Sequence, residues 1–361
     1  MGLAEVRSIG LGLRLRSAED LEDLEQELID EYLLAMVSAG LSDRTVAIDR
    51  STIFEFLRFT ERPVWTTQPK DIDRFLAHQR TKLHRARLTV QHKAWALAKF
   101  FDFLVSRYQA DLRVVTGYVV SQPVDEFNRP KGREYGRIRV PPSDAEVERL
   151  FTQWGAWFPE ARKYRPAARD YLAASLWRRV GLRIQETYML DIRDWRRDLG
   201  EYGKLHVRYG KGSFGRGPKS RLVPAINQVD ELLEWWLADV RHQFGEDYLL
   251  GDAALLPSEQ NDDLTGWKRR VCDQSLRNGL EAAVHRWLPE WEGRLTPHTL
   301  RHYCASSLYR QGMDLRAIQE LLGHEWLATT TLYVHVHANH VENAWAQANA
   351  RTTARLARPT E

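Results

Sequence analysis

The sequence predicts a two-domain chain that is mainly helical, with a small β-hairpin set in the second domain. Three observations predict it. Apolar residues recur at three- and four-residue intervals through most of the chain, which marks amphipathic helices. Two short strand-like runs flank a Gly-rich turn near residue 210, the pattern of a hairpin. A polar, basic stretch containing Pro and Gly, residues 126–142, separates two long patterned regions. With 361 residues, 43% hydrophobic and 11% aromatic, each half can bury its own core, and a fully disordered chain is excluded.

Each element follows from local chemistry. Residues 19–39 place Leu21, Leu24, Leu28, Tyr32 and Ala35 at helical spacing, and Gly40 closes that helix. Ser42 caps a second helix carrying Ile48, Ile53, Phe56, Leu57 and Phe59, which Pro63 ends. Residues 71–83 and 88–108 give two more, the last with Trp95, Leu97, Phe100, Phe101 and Leu104. The first domain is therefore all-helical over residues 19–125. The second, residues 143–340, opens with the capping box Ser143-Asp144-Ala145-Glu146, followed by Val147, Leu150, Phe151 and Trp154. A helix over 171–180, strands over 204–209 and 221–225 and a helix over 231–244 come next, while residues 246–295 carry the weakest pattern. Pro297 starts a helix running to Gly312, and residues 314–322 form another that Gly323 ends. The tail, residues 341–361, is Ala-rich and helix-prone.

Net charge is only +3, so bulk charge does not identify a nucleic-acid binder. Its distribution says more. From Arg74 to Phe101 there is no Asp or Glu, while Arg80, Lys82, Arg85, Arg87 and Lys93 all fall there. Arg129, Lys131 and Arg133 follow in the linker. Such a face suits phosphate binding, and taken alone it suits a solvated helix face equally well. Cys272 and Cys304 have neither metal-site nor disulfide-framework spacing. No apolar run is long enough to span a membrane, and the N-terminus lacks a signal-peptide pattern, so a soluble, cytoplasmic protein is expected.

The chemistry concentrates in three places. Thr296-Pro297-His298-Thr299-Leu300-Arg301-His302 puts His298 and Arg301 on one face of the first turn of a helix, where backbone N–H groups and the positive dipole end favour a phosphate. A capping histidine and an Arg–acid pair would explain that helix as well. His324 comes twenty-three residues after Arg301, and Tyr333 nine after that, in Thr329-Thr330-Thr331-Leu332-Tyr333. Earlier stands Gly181-Leu182-Arg183-Ile184-Gln185-Glu186, which on its own fits a surface Arg–Glu pair. The turn from Gly210 to Gly215 formally matches G-x-G-x-x-G, but a strand follows it rather than a helix, so a dinucleotide site is rejected. The histidines of residues 298–340 lack H-E-x-x-H spacing and acidic or cysteine ligands; neither metal nor other cofactor is expected.

The order and intervals of Arg183, His298, Arg301, His324 and Tyr333 resemble those of the tyrosine recombinase (phage integrase) family, of the Xer-like or transposon-encoded kind. The resemblance covers residues 143–340 by motif and residues 20–125 by helical pattern and basic face. It implies a SAM-like core-binding domain followed by a catalytic domain, with double-stranded DNA as substrate. By the same resemblance Tyr333 is the nucleophile, forming a 3′-phosphotyrosine. Arg183 and Arg301 bind the phosphate, His298 accepts or orients the proton, His324 bonds the phosphate, and Lys211 is the general acid, with Lys219 as the alternative. Glu186 supports Arg183, and His302 packs behind Arg301. A homotetramer on DNA is implied, with the tail on a neighbouring subunit and an accessory directionality factor or partner recombinase as a possible addition. The chain departs from the family in an enlarged hairpin loop and in Glu325-Trp326 after His324. The segment before residue 19 is too short for a separate arm-binding domain. Two other outcomes stay open on the sequence: a topoisomerase-like strand-passing enzyme, and a non-catalytic DNA-binding regulator on the same fold.

Overall fold

A computed structural model describes residues 18–131, 141–210 and 219–323. They fall into two compact units, residues 18–131 and the rest. Both are mainly helical, with small antiparallel sheets in the second. No described helix is long and apolar enough to cross a membrane.

The first unit contains α1 (Ala18–Ser38), α2 (Asp43–Thr60), α3 (Pro69–Thr81) and α4 (Arg87–Thr116). Ser42 caps α2 by accepting from the Thr45 N–H at 3.3 Å. The core is aromatic: Phe56 meets the edges of Phe75 and Phe101, with centroids 5.3 and 6.4 Å apart. The last helix runs eight residues beyond the expected end at 108, to Thr116. No breaker occurs before Gly117, and Leu112, fully buried, keeps the segment docked.

In the second unit, α5 (Asp144–Trp157) starts with the expected capping box, Ser143 N–H donating to Glu146 at 2.7 Å. The helix α6 spans Tyr164–Arg179, starting seven residues earlier than expected because Pro166 is tolerated in a first turn. It is the central element, with Leu172, Ala173, Leu176 and Trp177 fully buried. After α7 (Ile184–Tyr188), strands β1 (Trp195–Arg196), β2 (Lys204–Gly210) and β3 (Lys219–Pro224) form an antiparallel sheet in that order. Leu205 pairs with Val223 and Val207 with Arg221. Their alternation turns Leu205, Val207 and Val223 into the core.

The expected helix over 231–244 is α-helical only in α8 (Val229–Trp235); a π turn, Trp236–Val240, and a 3-10 turn, Arg241–Phe244, follow. The altered winding lets Trp236, Val240, Arg241 and Phe244 all face inward. Arg241 is fully buried and bonds both oxygens of Asp247, at 3.1 and 3.0 Å. The weakly patterned stretch holds a two-stranded sheet, β4 (Pro257–Asn261) with β5 (Lys268–Arg270), and α9 (Asp273–Trp287). The unit's described part ends with α10 (Pro297–Arg310) and α11 (Leu315–Leu322).

The Trp177 indole donates to Thr187 Oγ1 at 2.9 Å, tying α6 to α7 behind the candidate site. Replacing Trp177 with Ala removes a fully buried indole and this bond. It should destabilise the second unit by about 3–5 kcal/mol, read as a lower midpoint in urea unfolding.

Candidate active site

The site is assembled around one buried carboxylate. The chain leaves α6 through Gly181, whose φ of 64° is left-handed. A Cβ at that position would lie 2.4 Å from Leu322 Cδ2, so glycine is what lets α11 approach. Arg183 follows at the head of α7. Glu186, one turn on and 2% exposed, reaches back to it. Glu186 Oε2 accepts from the Arg183 backbone N–H at 2.8 Å, and Oε1 from Arg183 Nη1 at 2.6 Å.

Two further arginines join this carboxylate. Arg221, on β3, donates Nη1 to Oε1 and Nη2 to Oε2, both at 2.8 Å, in a two-pronged fork. Arg301, on α10 and 1% exposed, places Nη1 3.8 Å from Oε2. Its guanidinium also donates to the carbonyls of Gly181 and of Leu322, the latter at 2.6 Å. The same three guanidinium groups hold the carboxyl-terminal end of α11, where helix carbonyls lack intrahelical partners. Arg221 Nε bonds Leu321 O at 3.2 Å, and Arg183 reaches Leu322 O and Gly323 O at 3.4 Å. Gly323 ends α11 in the left-handed region, against the Arg221 guanidinium.

Burial alone would raise the Glu186 pKa. The hydrogen bonds from Arg221 and the charges of Arg221, Arg183 and Arg301 outweigh it and hold the carboxyl at about 2. Among the described residues, three guanidinium groups surround this one carboxylate. Beside them, Thr296 caps α10, accepting from the Thr299 N–H at 3.2 Å. His298 stands exposed in that first turn. The His302 ring packs edge-on against His298, centroids 4.6 Å apart, so the histidine expected behind Arg301 makes its ring contact with His298 one turn earlier.

The hairpin has a separate anchor. Arg208 on β2 bonds Asp194 at 2.8 Å through Nε and also Asp191. Asp191 in turn accepts from Arg270 on β5 at 2.5 Å. These buried acids fix the strand that leads toward Lys211. Lys211, His324 and Tyr333 lie outside the described residues, as does Arg133. Lys219 is described, exposed at the start of β3 opposite Gly210.

In the first unit, Arg80, Lys82, Arg85, Arg87, Arg129 and Lys131 are exposed. Arg80, Arg87, Arg129 and Lys131 line one groove, together with Asp73 and Glu126. Lys93 departs from that set: its side chain is 14% exposed and bonded to Glu55, a carboxylate on α2. Helical phase could not reveal that pairing. The sequence reading also passed over Arg221, Asp191 and Asp194. The one signal for Arg221 was its place inside an otherwise apolar strand return, Arg221-Leu222-Val223-Pro224.

The Glu186 pKa lies below the ordinary glutamate value of 4.5, so the ionised carboxylate stabilises the fold above about pH 4.5. That contribution, roughly 3 kcal/mol, is lost as pH falls from about 4.5 toward about 2. A Glu186→Gln variant should be less stable than the parent at pH 7, with the gap narrowing in acid. Denaturant midpoints measured from pH 7 to pH 3 check this; a gap that does not change with pH contradicts it.

Comparison with known proteins gives a consistent result. The phage integrase family model matches residues 156–340, just over half of the chain. Tyrosine recombinase XerC of Thermodesulfovibrio yellowstonii is 29% identical over 304 residues, covering 84% of this chain and 89% of its own. Tyrosine recombinase XerD of Listeria monocytogenes is 26% identical over 334 residues, covering 90% and 99%. Among solved structures, XerH bound to a palindromic difH substrate superposes with a TM-score of 0.62 at 19% identity, covering 91% of this chain and 84% of that one. A lambda integrase dimer bound to a COC′ core site gives 0.61 at 16%, covering 87% and 96%. The chain belongs to the phage integrase family of tyrosine recombinases.

Proposed function

We propose that this chain is a site-specific DNA recombinase that cuts and rejoins duplex DNA through a 3′-phosphotyrosine. The observation that carries this reading is the gathering of Arg183 and Arg301 around Glu186, beside His298 and against the end of the helix that precedes His324. Such a cluster stabilises charge developing on a phosphate's non-bridging oxygens in a pentacoordinate transition state. The Tyr333 hydroxyl oxygen attacks the phosphorus and gives its proton to His298. The bond to the 5′ oxygen breaks, and Lys211 supplies the proton that this oxygen takes up. His324 bonds the same phosphate. A 5′-hydroxyl from the partner strand then attacks the phosphotyrosine in the reverse sense. The phosphodiester bond energy is kept throughout, so the reaction as written needs neither ATP nor a metal.

In this reading residues 143–340 form the catalytic domain, and residues 19–125 hold the DNA together with the linker, residues 126–142: Arg80, Lys82, Arg85 and Arg87 of the first and Arg129, Lys131 and Arg133 of the second meet phosphates. The substrate places the enzyme at the nucleoid. Two DNA sites bring four copies together, with the tail, residues 341–361, docking on a neighbour.

Two measurements test this. The protein and its Tyr333→Phe variant are incubated in EDTA with nicked duplexes tiled across the DNA flanking its own coding sequence, then run on denaturing gels. A covalent adduct on one duplex, absent from the variant, is expected; tight specific binding with no adduct on any duplex contradicts the reading. Separately, Arg80→Ala and Arg129→Ala should each make the negative slope of log affinity against log salt shallower by about 1. Unchanged slopes in filter binding would take these residues out of the interface.

A further inference from the structure

The geometry points to Arg221 as a positioning residue for the phosphate-binding arginines, through its grip on Glu186. The inference rests on the recombinase reading of Arg183 and Arg301. Among the described residues, Arg221 is the one whose guanidinium takes both Glu186 oxygens, at 2.8 Å each, and its side chain is only 14% exposed. It thereby sets the plane of the carboxylate. Arg183 meets the carboxylate through one side-chain nitrogen, at 2.6 Å, and through its backbone N–H, at 2.8 Å, and the nearest Arg301 nitrogen stands at 3.8 Å. Arg221 is thus the group that pairs most fully with Glu186, and it holds Arg183 and Arg301 back from doing so.

Its location adds a second role. Arg221 sits on β3, the strand that returns from the hairpin of Lys211, and its Nε holds Leu321 O, just ahead of His324. One side chain therefore ties the base of the hairpin, the Glu186 carboxylate and the end of α11. A lysine at 221 offers a point charge that cannot span both oxygens, so it cannot reproduce the fork.

Removing Arg221 leaves a buried carboxylate short of its main counter-charge. Arg301 then closes the 3.8 Å gap to neutralise it, and both its charge and its orientation are lost to the phosphate. Removing the Glu186 charge as well takes away the reason for that collapse. This gives a signature that simple loss of packing does not share: the double variant works better than the single one.

The test compares the full-length protein with Arg221→Met, Arg221→Lys, Glu186→Gln and the double variant Arg221→Met/Glu186→Gln. Two readouts are taken: the single-turnover rate of adduct formation on the nicked duplex that traps the parent, and inorganic phosphate affinity by 31P NMR. Circular dichroism establishes that each variant is folded. Arg221→Met should lose on the order of a hundredfold in adduct rate, while duplex affinity changes by less than about threefold. Arg221→Lys should fall between, and the double variant should recover about tenfold over Arg221→Met. Phosphate affinity should follow the same order. A double variant no better than Arg221→Met overturns the inference, as does an Arg221→Met protein with the parent's rate and phosphate affinity. If the parent forms no adduct on any duplex, the recombinase reading fails, and the phosphate titration still decides the role of Arg221.

Discussion

A single buried negative charge organises the second unit. Glu186 is nearly out of solvent, and an isolated carboxylate there would be strongly unfavourable. It is tolerated because three guanidinium groups from three separate elements converge on it. Removing the carboxylate would leave those cations facing one another; removing the cations would strand the anion.

Several backbone features exist to make that convergence possible. Gly181 lets α11 press against the turn after α6, where any side chain would strike Leu322. The left-handed Gly323 ends α11 against Arg221, so the carbonyls of Leu321, Leu322 and Gly323 all face arginines. Thr296 caps α10, which carries the buried Arg301 five residues on. The Trp177–Thr187 bond fixes α7 from behind. Each of these is a local event with a local cause, and together they place side chains from distant parts of the chain within hydrogen-bonding distance. The hairpin is anchored independently, through Arg208 and Arg270 on Asp191 and Asp194. Its base is thus held at two points, the acid pair and the Arg221 fork.

Legibility in the sequence tracked how local the physics was. Helix starts at Ser42 and Ser143 could be read because a cap and its partner are three residues apart, and the start after Thr296 because Pro297 suits a first helical position. The end at Gly323 follows from the same short-range rules, whereas α4 ran past its expected end at residue 108 to Thr116, because Leu112 holds it down. The π and 3-10 turns after α8 were not legible, since their winding answers to the burial of Arg241 against Asp247. Lys93 shared a basic stretch with exposed neighbours, and only packing brought it to Glu55.

By itself the sequence determined the two-domain helical plan, the hairpin, the family, and the residue types and intervals that define the site. Spacing along a helix and the identity of a cap are properties of neighbouring residues, so they survive without coordinates. The tertiary structure decided which charges meet. Arg221 lies thirty-five residues from Glu186 along the chain, and Arg301 one hundred and twenty from Gly181, and no periodicity links either pair. Such partners are selected by the desolvation of a buried charge, which acts only once the core has closed around it.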